Sequence, residues 1–184
     1  MKKSMIFCAV MFAVLFVSCK QEQATQFLSV TDKHNIANDT NWVEVTDIDT
    51  VKVCISDKLY KNGISVNSEL EYKNLFEETL KDENYLWFVR NHPDKTICTE
   101  EYQIPPINFT DRILILYRSP FGGGQPVFKR KIFKHQITSE ILFLLETTYF
   151  SETLENSFFN DNITIPRFSH SSQIKFDTIL RFNY

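Results

Sequence analysis

The stretch "RILILYRSPFGGGQPVFKRKIFKH", Arg112 to His135, decides the fold class. After Arg112 it opens as a continuous apolar run of strand length, the pattern of a central strand covered on both faces. Its last eleven residues, "QPVFKRKIFKH", carry five basic or protonatable groups. They predict a charged edge strand that resists aggregation rather than a nucleic-acid site. Between the two lie Gly122, Gly123 and Gly124, three of the four glycines in the chain. A phosphate-cradling Walker A loop needs a Lys-[Ser/Thr] pair and a helix after its last glycine, and Gln125, Pro126 and Val127 follow instead. A dinucleotide fingerprint fails for the same want of a helix. The glycines therefore predict a hairpin turn between strands, with positive φ or a bulge, and a place where backbone is exposed to a partner.

Working outward, "EILFLLET" (Glu140 to Thr147) is a second apolar run of strand length. In "QIKFDTILRFNY", Ile174, Phe176, Thr178, Leu180, Phe182 and Tyr184 share one face, with Gln173, Lys175, Asp177, Arg181 and Asn183 on the other. Upstream, "DTVKVCISD" alternates Val51, Val53 and Ile55 against Lys52, Cys54 and Ser56, which predicts a half-buried strand with Cys54 toward the polar side. The period changes in "NSELEYKNLFEETL", where Tyr72, Leu75, Phe76, Thr79 and Leu80 fall at helical spacing. There Ser68 and Glu71 form the S-x-x-E start of a helix over Glu69 to Lys81. From Glu83 to Phe109 the aromatic residues and three prolines predict an irregular connection, with one short strand at Leu86 to Val89. The sum is an α+β fold: a mainly antiparallel sheet or sandwich with one principal amphipathic helix.

The N-terminus reads as a targeting segment. Two lysines precede a thirteen-residue apolar run, Met5 to Val17, whereas a spanning helix needs roughly 20 residues. "FVSC" is similar to a bacterial lipobox, so residues 1–18 are expected to be a lipoprotein signal peptide and Cys19 the lipidated first mature residue. Residues 19–41 then form a flexible tether and 42–184 a single β-rich domain. Lys20 in place of an aspartate after Cys19 favours the outer membrane, facing the periplasm or the surface. Lys2 and Lys3 leave with the signal, so the net charge of −3 becomes −5, which disfavours nucleic acid as a partner. Cys54 and Cys98 remain as an even pair in an oxidising compartment, which reads as one disulfide, with buried free thiols as the alternative.

Chemistry-bearing motifs are sparse. His34, His92, His135 and His170 lack metal-ligand spacing, and Ser169, His170, Ser171 and Ser172 lack the local signals of a hydrolase. The adjacent carboxylates Glu77–Glu78, Asp82–Glu83 and Glu100–Glu101 read as solvated. No catalytic residue, metal or cofactor is expected. Asp49-Thr50-Val51 and Asp177-Thr178-Ile179 resemble a bacterial O-glycosylation tripeptide, with Thr50 the better candidate because Thr178 shares an apolar face.

The segment from "IPPINFTDRILILYRSPFGGG" to "ITIPRFSHSSQIKFD" resembles the C-terminal domain of the protease complex subunit PrcB family over about Pro105 to Asp177. Relatives that carry a cysteine after the glycines differ from this chain, which has Gln125 there, so Cys98 cannot pair with that turn. The resemblance implies a protease-associated or other protein-binding envelope lipoprotein and carries over no catalytic residue. The sequence thus leads to a non-catalytic protein-binding module, with Gly122, Gly123, Gly124, Trp87 and Phe88 as candidate contacts. An envelope hydrolase or carbohydrate-binding module is the alternative.

Overall fold

A computed structural model of the chain describes residues 36, 38–93, 98–122, 126–149, 156–168 and 173–182. The chain divides into two compact units, Met1–Trp42 and Val43–Tyr184. The elements in chain order are β1 (Trp42–Glu44), β2 (Asp49–Thr50), a 3-10 helix (Asp57–Tyr60), β3 (Ile64–Val66), α1 (Glu69–Thr79), α2 (Glu83–Asn91), β4 (Arg112–Gly122), β5 (Val127–His135), β6 (Ile141–Tyr149), β7 (Asn156–Pro166) and β8 (Ile174–Phe182).

The strands form two sheets, sheet A in the order β1-β5-β6-β8 and sheet B in the order β2-β7-β4-β3. The pairs β2–β7, β3–β4, β4–β7 and β5–β6 are antiparallel, and β6–β8 is parallel. The expected α+β class and sandwich are present, with a second helix added.

The two apolar runs explain the layering. In β4 every residue from Ile113 to Tyr117 is buried, and in β6 every residue from Ile141 to Leu145. Ile113, Ile115 and Tyr117 face an inner core with Ile132, Phe143, Leu145, Ile163 and Ile165. Leu114 and Leu116, on the opposite face of β4, join an outer core with Cys54, Ile55, Tyr60, Val66, Tyr72 and Phe76. Sheet B thus has apolar cover on both sides, each fully buried large side chain contributing about 1.5–3 kcal/mol. Tyr117 links the sheets, stacking on Phe143 at 4.8 Å and Phe176 at 5.7 Å.

Helix α1 starts as the sequence predicts: the Ser68 hydroxyl oxygen accepts from Glu71 N–H at 3.1 Å, while the Glu71 carboxylate accepts from Asn67 N–H at 2.6 Å. The stretch Glu83 to Asn91 departs from expectation. It is α2, not an irregular connection with a strand. Asp82 caps it, accepting from Asn84 N–H at 3.1 Å, and no proline occurs before Pro93, so the aromatic residues did not prevent a helix.

The stretch after Thr50 also differs. Only Asp49–Thr50 is strand, because α1 takes over the hydrogen bonding: Cys54 N–H donates to Tyr72 Oη at 3.0 Å and Ser56 N–H to Thr79 Oγ1 at 2.9 Å. Cys54 is therefore buried rather than on a polar face.

Strand β5 is not the edge that its charges predict. It lies between β1 and β6, although β1 is three residues long. One of its charges, Arg130, points inward, where its Nη1 meets both Asp161 carboxylate oxygens at 2.7 and 2.6 Å. In β8, Ile174 and Phe176 pack on the inner core and Thr178 bonds Tyr117 Oη at 2.9 Å. Past Thr178 the burial shifts to Ile179, leaving Leu180 exposed.

Candidate functional site

The outer face of sheet B carries a cavity of about 290 Å³ lined by Asp57, Lys58, Lys61, Arg118 and Phe158. The strand register builds its floor. Arg118 in β4 stands opposite Asn160 in β7, so Phe158, two residues along, shares its face. The 3-10 helix supplies the wall. Its Tyr60 is buried in the outer core, and Asn62 N–H donates to the Arg118 carbonyl at 2.9 Å.

The charges are held in order. Arg118 pairs with Asp57, and its guanidinium lies over the Phe158 ring at 4.1 Å. Lys58 Nζ donates to Asp82 at 2.6 Å and the Ser56 hydroxyl donates to it at 2.5 Å. These two donors, the lysine first, hold the Asp82 carboxyl down to about 2. Tyr60 is pushed up to about 12, chiefly by burial and then by the Asp57 charge. Lys61 is exposed and meets no carboxylate among the described residues. Among the described residues, Arg118 Nε and Asn162 Oδ1 are buried without a hydrogen-bond partner.

Among the described residues, no serine, histidine or cysteine lines this cavity. Asp57 and Asp82 act as counter-ions to Arg118 and Lys58. A second cavity of about 280 Å³ lies along β1 and β5, lined by residues that include Glu44, Asp47, Lys134 and Phe168.

The residues singled out in the sequence are dispersed. Trp87 and Phe88 sit on the exposed side of α2, 60% and 43% accessible. Both rings meet His92, at 5.6 and 4.8 Å between centroids. Gly122 ends β4 opposite Asn156, while Gly123 and Gly124 lie outside the described residues. The strands flanking the glycines are β4 and β5, which belong to different sheets. The hairpin is thus a sheet-to-sheet crossing instead: β4 already pairs with β3 and β7.

Cys54 and Cys98 form a disulfide with a Cα–Cα separation of 5.3 Å. Thr50 is exposed, whereas the half-buried Thr178 is occupied by its bond to Tyr117. Cys19 and the run Ser169 to Ser172 fall outside the described residues, among which no group of metal-ligating side chains occurs. Among the described residues no helix is long and apolar enough to cross a membrane.

No family model, curated protein or solved structure matches this chain.

The segment before β4 and the one after β7 meet in space. Arg167 donates to the Phe109 carbonyl, at 3.2 Å from Nε and 2.8 Å from Nη2, and also to the Asn67 carbonyl. Sequence reading missed the Arg118 cavity. Its signal was the alternation Leu114, Leu116, Arg118, in which a cation continues the row of a buried face.

Proposed function

We propose that this chain is a non-catalytic binding protein, held at the cell envelope by lipid on Cys19, that engages another protein through the aromatic side of α2. One observation carries the reading: Trp87 and Phe88 stand side by side in the open on a helix whose Val89 is buried and whose N-terminus Asp82 caps. Large aromatic groups on a rigid element lose little conformational freedom on binding and are the residues that most often dominate interface energy. A protease or an envelope assembly is the partner class implied by the PrcB-like pattern.

Recovery of partners from membranes with the Trp87→Ala/Phe88→Ala double variant tests this. A folded variant, judged by an unchanged melting curve, is expected to lose the partner; equal recovery rejects the surface. Replacing Gly122 to Gly124 in parallel asks whether that crossing adds a contact. Cys19→Ala is expected to release the chain from membranes. The alternative of a carbohydrate-binding module draws on the cavity beside Phe158.

A further inference from the structure

We infer that the cavity formed by Lys61, Arg118 and Phe158 binds a carboxylate-bearing sugar ring of the uronic-acid type, a ligand site separate from the α2 surface. The charge balance selects a monoanion. Asp57 holds Arg118 and Asp82 holds Lys58, which leaves Lys61 as the one lining cation without a counter-ion among the described residues. A guanidinium presents five N–H donors in a fixed plane, so its pairing with Asp57 leaves donors for a second carboxylate.

The shape selects a ring. Small-molecule pockets run from roughly 300 to 1,000 Å³, and at about 290 Å³ this one takes a single ring rather than a chain. Phe158 is 53% exposed and supplies an apolar wall for the C–H face of such a ring. The Arg118 guanidinium lies over this ring at 4.1 Å. A free phosphate uses neither that wall nor the available volume.

Titration calorimetry of the full chain with glucuronate, glucose, inorganic phosphate and an aspartyl tripeptide provides the test. Glucuronate is expected to bind, and more weakly as salt rises. Glucose, phosphate and the peptide are expected to bind at least about tenfold more weakly, a difference of about 1.4 kcal/mol. Lys61→Ala removes an exposed side chain without a described ion pair and is expected to weaken glucuronate binding about threefold. Phe158→Ala is expected to weaken it about fivefold. No binding of glucuronate, equal binding of glucose or phosphate, tighter binding of the peptide, or no response to both Lys61→Ala and Phe158→Ala overturns the inference.

Discussion

Breaking the bond between Cys54 and Cys98 should cost this fold a large part of its stability. The bridge spans 44 residues of sequence. In the chain-entropy treatment, opening a loop of that length returns freedom to the unfolded chain worth about 4 kcal/mol at 25 °C. The bond also fastens the segment before the 3-10 helix to the one carrying Tyr102, Ile107 and Phe109, which packs against the outer core. There Tyr102 meets the Phe76 ring edge-on at 5.6 Å. For a unit of this size each kcal/mol moves the midpoint by about 2–4 °C, so the melting temperature should fall by roughly 8–16 °C. Circular dichroism melts of the oxidised chain, the chain reduced under denaturing conditions and refolded with reductant, and Cys54→Ala/Cys98→Ala measure it. The reduced and double-variant chains should melt alike and well below the oxidised form. Midpoints that agree within about 1 °C would refute the reasoning, because they would mean that the outer core alone positions both segments.

Two further outcomes follow from single residues. Gly63 has φ +96° and sits against the Phe176 ring so closely that a Cβ would overlap it. Gly63→Ala should therefore destabilise the fold by about 2 kcal/mol or more, from the left-handed backbone and the displaced ring together, as read in urea melts. Asp82 is held down to about 2 by Lys58 and Ser56. Its lowered value adds stability above the unfolded carboxyl value, near 4, that is lost as pH falls from there toward 2. Asp82→Asn should flatten this part of the acid unfolding curve; an unchanged curve would show that the acid response comes from other carboxylates.

What was legible in the sequence was whatever depends on period alone. The runs at Ile113 to Tyr117 and Ile141 to Leu145 announce strands covered on both faces, and the Ser68–Glu71 spacing announces the start of α1. Pairing was not legible. Nothing local in "FGGGQP" says that β4 continues to partners in one sheet while β5 joins the other, because strand order is set by which apolar faces meet across the sandwich. The stretch after Thr50 alternates like a strand, yet the hydroxyls of Tyr72 and Thr79 claim the N–H groups of Cys54 and Ser56. Helix α2 was hidden by aromatic residues that read as strand formers, while its Asp82 cap lay in plain view. The Arg118 cavity collects residues near positions 60, 118 and 158, which come together only through the β4–β7 register and the bond from Asn62 N–H to the Arg118 carbonyl. Arg118 was the one visible clue, a charge continuing a buried row.

The two sheets are interleaved along the chain: β4 belongs to one, β5 and β6 to the other, β7 to the first again and β8 to the second. Neither sheet is a continuous segment that could fold, be excised or be swapped as a piece. β8 joins β6 in parallel only after β7 has gone to the opposite layer. Such non-local pairing requires loop closure before contacts repay it, which slows folding and ties the layers into one cooperative transition. A lesion in either sheet should therefore be felt in the kinetics of both, and fragments cut between strands should be recovered as aggregates rather than as half-folded sheets.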